Sequence, residues 1–305
     1  MEKIKIAVIC GPTASGKSAL ALELAPVFNA EIISADSMQV YKGMDIGTAK
    51  PSQEERRKAV HHLIDIAEPD ENYTAARFKA DAARKIAEIS SRGKNIFVVG
   101  GTGLYIKALT KGMFDGPEGD AGLREELLRE AELYGSSAVH AKLKDVDPES
   151  AAVIHPNNLQ RVVRALEVYC LSKTPMSELK RAHAFSQSPY NALKIGLVRE
   201  RALLYASIEK RVDAMLSAGL LDEVKGLLGK GYSPSLKPMA GLGYKEMCAH
   251  ISGNVSYGEA IRLLKRNTRH YAKRQLTWFG KDTEIRWFSL ENKDMVIRLI
   301  REHLG

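Results

Sequence analysis

Residues 4–25 read IKIAVICGPTASGKSALALELA: an apolar run, a glycine-rich turn, then an alanine- and leucine-rich segment. The run is too short for a core helix and stops at Gly11-Pro12, so it reads as a buried strand. The turn carries Gly11, Gly16, Lys17 and Ser18 in the spacing G-x-x-x-x-G-K-[ST], with Pro12, Thr13, Ala14 and Ser15 between them. Backbone N–H groups of such a loop point inward, and the helix that follows adds positive potential at its N-terminus, so the loop cradles phosphates. Lys17 is placed to reach the outer phosphate and Ser18 to offer its hydroxyl to Mg²⁺. Strand, loop and helix in this order form the first βα unit of an α/β fold.

Working outward, AEIIS (30–34), NIFVVG (95–100) and LKIGLV (193–198) are further short apolar runs, and IRWF (285–288) is a late strand candidate. Helical patterns of crossover length separate the first three runs, which predicts a parallel sheet of the P-loop NTPase type with helices on both faces. That spacing breaks between 101 and 192, where the chain is far too long for one crossover. Inside the gap DGPEGDAG (115–122) reads as a loop, AGLREELLREAELYG and NLQRVVRALEVYCLS as helices, and SQSPYN (186–191) as the return. The expected organisation is a core of residues 1–116 and 191–305 with a helical insertion domain at 117–190. The two loops at its ends read as hinges.

Hydrophobic residues make up 45% of the chain and charged residues 27%, the balance of a soluble globular protein, and no apolar run reaches the length of a membrane span. The N-terminal run flows into the phosphate loop and not into a cleavage site, so a cytoplasmic location is expected. Cys10, Cys170 and Cys248 are widely spaced, fit neither a zinc site nor a disulfide framework, and read as buried thiols. The formal charge of +8 suits a polyanionic partner.

Three more places can carry chemistry. Asp36, in ISADSMQVYKGMDIGTAKP (33–51), follows the second strand, expected to lie beside the phosphate loop in the sheet. There it serves either as a general base or as a turn cap. The third strand ends in VVGGTGLY, whose glycines let backbone approach a ligand beside Thr102, but the acidic Mg²⁺ ligand common in NTPases is missing there. Asp65 of LIDI is a weak substitute. Arg211 sits beside the stripe formed by Leu204, Ile208, Val212 and Met215 on a helix that stops at Gly219, so it meets an anion, from the protein or from a ligand. Two basic faces suit an RNA backbone: Gln160, Arg161 and Arg164, with Val162 and Val163 packed inward, and Arg262, Arg266, Arg269 and Lys273, followed by Trp278.

GPTASGKS, DSMQVYKGMDIGTAKP, HHLIDI, GGTGLYIKAL, HPNNLQRVVRALEVY and AKRQLTWF, in this order along nearly the whole chain, resemble the bacterial tRNA dimethylallyltransferase family. The resemblance implies transfer of a dimethylallyl group from dimethylallyl diphosphate to N6 of the adenosine 3′ to the anticodon, position 37, with diphosphate released. It makes residues 11–18 a diphosphate site, Asp36 the base, and Thr102 a group that orients amine and leaving group. Lys17, Ser18 and Arg211 become stabilisers of the diphosphate, with Mg²⁺ as cofactor. It also implies tRNA contacts at Asp36, Ser37, Met38, Gln39, Thr102, Arg124 and residues 160–164 on the anticodon stem-loop. A monomer is expected because one chain with a clamp can grip a tRNA, and the loop, whose phosphates become a leaving group, is expected to bind ATP weakly at most and not to consume it. The rival readings are an adenylate isopentenyltransferase acting on free AMP, a small-molecule kinase, and an ATP-dependent RNA-binding module. The insertion, the missing acidic residue and Asp36 count against them in turn.

Overall fold

The computed structural model describes residues 3–114, 116–183 and 188–305, so the hinge loops at 115–120 and 186–191 lie partly outside the described residues. The expected strands form where the apolar runs stand: β1 Lys5–Cys10, β2 Ala30–Ser34, β4 Asn95–Gly100, β5 Asn191–Leu197 and β6 Arg286–Phe288. A two-residue strand, β3 His61–His62, joins them at one edge; so short a run of histidines has no apolar signature. All pairings are parallel, in the order β3-β2-β4-β1-β5-β6. The expectation that β2 neighbours β1 is therefore wrong: β4 lies between them, and the GGTG turn is the immediate neighbour of the phosphate loop.

Successive strand residues point to opposite faces, and both faces are buried. Ala7, Ile9, Ile32, Phe97, Val99, Ile195 and Leu197 pack with Leu20 and Leu24 of α1 (Lys17–Val27) and with Val296 and Ile300 of α14 (Lys293–Leu304). Ile6, Val8, Ile33, Ile96 and Val98 are equally buried, and α3 (Ala75–Ser91) lies against β2 and β4. Burial on both sides explains why the strands read as continuous apolar runs instead of alternating ones. Lys194, inside β5, is a charged exception, and Asp282 and Glu284 hold its ammonium at 2.7 and 2.9 Å.

The chain divides into two compact units, residues 1–110 with 189–305, and residues 111–188. The second is all helical: α5 Ala121–Tyr134, α6 Ser136–Val146, α7 Pro148–Val153, α8 Leu159–Ser172 and α9 Met176–His183. Its core gathers Leu127, Val139, Leu143, Ile154, Val162, Val163, Leu166 and Met176. Glu167 is fully buried there, and Arg124 (2.8 Å), Arg164 (2.7 Å) and the Asp120 N–H (2.9 Å) share its carboxylate. Of the cysteines, Cys10 and Cys248 are buried, but Cys170 is exposed on the outer face of α8, contrary to expectation. Among the described residues no helix is long and apolar enough to cross a membrane.

Candidate active site

The carboxyl ends of β1, β2 and β4 meet a cavity of about 320 Å³, within the range of small-ligand sites. The phosphate loop contributes Thr13, Lys17 and Ser18, the segment after β2 contributes Asp36, Ser37, Met38 and Gln39, and β4 contributes Val99 and Gly100. Helix α10 (Arg201–Ser217) adds Arg211, Val212 and Met215, and α13 (Tyr257–Phe279) adds Leu264, Thr268, Tyr271, Arg274 and Gln275. One wall is thus cationic and hydroxylic, and apolar side chains complete the lining.

The sequence of the loop dictates its shape. Gly16 takes a left-handed conformation at the start of α1, as a phosphate loop entering a helix requires. Lys17 donates to the Pro12 carbonyl at 3.2 Å. Arg211 makes only a long contact, 3.5 Å, to the Thr48 carbonyl. Among the described residues no carboxylate lies within ion-pair distance of either cation. Burial, and next the Arg211 charge, push the Lys17 ammonium from 10.5 down to about 8, with Asp36 opposing. Burial lowers Arg211 as well, again opposed by Asp36. Two mutually repelling cations that line one cavity with no ion-pair partner among the described residues suit a multivalent anion. Of the two partners left open for Arg211, the protein supplies no carboxylate.

Asp36 shows the turn-capping use expected of it. Its Oδ1 accepts the Met38 N–H at 2.9 Å and the Gln39 N–H at 3.4 Å, closing a turn, while Oδ2 takes no hydrogen bond among the described residues. Thr102 is not on the cavity wall. Its Oγ1 accepts the Ser37 N–H at 2.9 Å and donates to Ser37 Oγ at 3.3 Å, which ties it to a residue of the lining. Gln39 is likewise committed: Ser34 donates to its carbonyl, and its amide donates to the Thr48 and Ala49 carbonyls.

The segment DIGTAKP is scaffold. The N–H groups of Asp45, Ile46 and Gly47 all donate to the Glu223 carboxylate of α11 (Leu220–Gly229), at 2.9, 2.7 and 3.1 Å, and Tyr244 donates to the same group at 2.7 Å. Lys50, buried, ties Tyr41 O, Asp45 and Asp65 together at 2.7, 2.5 and 2.6 Å. Asp65 also pairs with Arg56 at 2.9 Å and is absent from the cavity lining, so it is no substitute metal ligand.

The RNA-facing expectations divide. Gln160 and Arg161 are exposed on α8, but Val162 and Val163 are core side chains and present nothing to a surface. Arg124 and Arg164 are held by Glu167. On α13, Arg262 pairs with Glu259 at 2.6 Å and Arg269 with Glu209 at 2.8 Å, leaving Arg266 and Lys273 as the freer exposed members of that stripe. The Trp278 ring packs on Gly103 and stays partly exposed.

Gln275, Tyr271, Arg274 and Lys245 line the cavity and were not singled out from the sequence. Gln275 was nonetheless visible: Ala260, Leu264, Thr268, Ala272, Gln275 and Phe279 form the buried stripe of α13, where a glutamine needs partners, the logic that marked Arg211. It accepts the Thr13 N–H at 2.8 Å and donates to the Gly101 carbonyl at 2.9 Å. A Cβ on Gly101 would sit 2.3 Å from the Gln275 amide nitrogen, and one on Gly100 would sit 2.1 Å from the Ala35 carbonyl, so this turn tolerates only glycine. Burial and then the Asp36 charge push the Tyr271 phenol up, which keeps it protonated.

For Mg²⁺ the chain supplies oxygen donors, Ser18 and Asp36, in the cavity lining. Among the described residues no cluster of three His, Cys, Asp or Glu side chains could form a cage. Such a site fits Mg²⁺ shared with phosphate oxygens and water.

Comparison with known proteins agrees with this geometry. The IPP transferase family model matches residues 39–282. A tRNA dimethylallyltransferase of Geobacter metallireducens is 54% identical over 292 residues, covering 96% of this chain and 94% of that protein. The solved full-length tRNA isopentenylpyrophosphate transferase of Bacillus halodurans is 44% identical with a TM-score of 0.73, covering 99% of this chain and 97% of that one. A eukaryotic dimethylallyltransferase captured acting on tRNA is 30% identical with a TM-score of 0.82, covering 97% of this chain and 78% of that one. Similarity over nearly the full length to enzymes of one kind shows the family: the chain belongs to the IPP transferase family, the tRNA-prenylating transferases.

Proposed function

We infer that this tRNA prenyltransferase carries the dimethylallyl group of dimethylallyl diphosphate to N6 of the adenosine 3′ to the anticodon, position 37. The observation that carries this reading is the juxtaposition of Lys17 and Arg211, unneutralised by any ion pair, with Asp36, the one carboxylate on the cavity wall. The donor's diphosphate lies on residues 11–18, and its short prenyl chain lies among the apolar lining. The target adenine, flipped out of the anticodon loop, presents N6 to the allylic carbon. The nitrogen lone pair forms the new N–C bond as the C–O bond to diphosphate breaks, and Asp36 Oδ2, the oxygen free of the turn, takes the N6 proton. Lys17 and Arg211 meet the charge that grows on the leaving diphosphate, and Thr102 positions this wall through Ser37. Ser18 would hold Mg²⁺ here, and the ion would supply further neutralisation of that charge.

Residues 111–188 serve as the RNA clamp, with Gln160 and Arg161 on its exposed face, and Arg266 and Lys273 extend a cationic surface on the core. Arg124 and Arg164 reach RNA only by sharing themselves with Glu167. The enzyme works as a monomer in the cytoplasm, and ATP binds its loop weakly without being consumed.

Labelled dimethylallyl diphosphate offered with unmodified tRNA and with AMP tests this directly. The label is expected in tRNA at position 37; label in AMP alone, or ATP turnover without prenyl transfer, would overturn the reading. Asp36→Asn keeps the turn, because the amide oxygen still accepts the Met38 N–H, and is expected to slow single-turnover transfer by roughly several hundredfold or more with little change in tRNA binding. Equal losses in both would make Asp36 a structural residue.

A further inference from the structure

We propose that Gln275 is a positioning residue for the transfer, holding the phosphate loop and the wall that carries Asp36 at a fixed offset. This rests on the reading of Asp36 as the base and goes beyond it by naming what aligns that base with the donor.

The need for such a residue follows from the strand order. Asp36 follows β2, the phosphate loop follows β1, and β4 lies between them. On the β2 side the join to β4 continues past the end of the sheet. The Ala35 N–H donates to the Val99 carbonyl at 2.8 Å, the Thr102 N–H donates to the Ala35 carbonyl at 3.2 Å, and Thr102 Oγ1 accepts the Ser37 N–H. On the β1 side the ladder stops at Cys10, opposite Gly100. Beyond it the loop and the turn after β4 share no direct hydrogen bond among the described residues, and Gln275 spans the gap. Its Oε1 accepts the Thr13 N–H at 2.8 Å and its amide donates to the Gly101 carbonyl at 2.9 Å. A carboxamide suits this place because it offers an acceptor to one partner and a donor to the other, which neither a carboxylate nor an ammonium does. The bridge is stiff at its root, since Gln275 is 6% exposed and stands on the buried stripe of the 23-residue α13, which packs against α10. Without it the loop is free to shift against Asp36. Transfer needs the N6 nitrogen, the allylic carbon and Asp36 Oδ2 in one geometry, and a misplacement of about 1 Å costs about 100-fold. The carboxamide joins protein to protein, so Gln275 acts through its neighbours and is not a catalytic residue.

The test is a double-mutant cycle in the full-length protein. It reads single-turnover transfer from saturating labelled dimethylallyl diphosphate to unmodified tRNA, with calorimetric donor affinity beside it. Gln275→Met nearly keeps the length of the side chain and removes both hydrogen bonds. It is expected to slow transfer by about 100-fold, while donor affinity changes by less than about tenfold, the worth of one hydrogen bond. In the Asp36→Asn background the same substitution is expected to cost no more than about threefold, because no base is left to align. A loss by the same factor in both backgrounds marks a merely structural residue and overturns the proposal. So does a loss that lies wholly in donor affinity, or a Gln275→Met enzyme as fast as the wild type. Gln275→Asn, whose amide is one methylene too short to reach both partners, supplies the same cycle should Gln275→Met not fold. An Asp36→Asn enzyme as fast as the wild type overturns the base reading, and the proposal with it. That failure shows in the single Asp36 variant, which keeps the two apart.

Discussion

Each unit of the molecule holds a pair of basic residues, and the two pairs are wired in opposite ways. In the inserted unit Arg124 and Arg164 share the buried carboxylate of Glu167, so charge is balanced inside the protein. In the core Lys17 and Arg211 face a common cavity with no ion-pair partner among the described residues, and each makes only a contact to a carbonyl. The first pair is satisfied within the fold, and the second has no ion-pair partner among the described residues. Basic composition alone does not separate these cases, because a net charge counts an arginine that is already satisfied and one that waits for a phosphate alike.

The sharpest way to break this contrast is Arg211→Met. Loss of one charged contact to the diphosphate is expected to weaken dimethylallyl diphosphate binding by about 100-fold. The ligand-free protein should unfold at the same temperature or higher, because a repulsion with Lys17 has been removed. Thermal unfolding and calorimetric titration read the two effects separately. A marked loss of ligand-free stability would show that Arg211 is structural after all.

Glu167→Ala is the mirror experiment. It strands two arginines and the Asp120 N–H, and should cost about 2 kcal/mol, below the usual cost of breaking a buried pair because both guanidinium groups are partly exposed. Urea unfolding and proteolytic sensitivity within 111–188 measure it, and donor binding in the core should not move. A Glu167 variant of unchanged stability would erase the distinction between the pairs.

The smallest effect is a pH dependence. Lys17 titrates at about 8 in the folded chain and at 10.5 when unfolded, so between these values the unfolded chain binds more protons. Stability of the ligand-free protein attributable to Lys17 therefore rises with pH across that window, by about 1 kcal/mol after allowance for the solvent that reaches this side chain. The difference between wild type and Lys17→Met, measured from pH 8 to pH 10.5, isolates it. Bound diphosphate should reverse the sign, since a polyanion favours the charged ammonium and its affinity falls as Lys17 loses its proton.

Sequence alone determined the strand-loop-helix start, the parallel sheet, the helical interruption, and the identity of Lys17, Ser18, Asp36 and Arg211. Local rules suffice there: buried parallel strands are continuous apolar runs, a phosphate loop has fixed spacing, and a charge on an apolar stripe must find a partner. Only the tertiary structure decided that β4 and not β2 adjoins the phosphate loop, because strand order depends on how crossovers pack and not on the strands' own residues. It alone showed that Thr102 is hydrogen-bonded to Ser37, that Glu223 occupies backbone donors of DIGTAKP, and that Gln275 accepts the Thr13 N–H. These partners stand far apart in the chain, and a hydrogen bond between distant residues leaves no periodicity for a sequence to display.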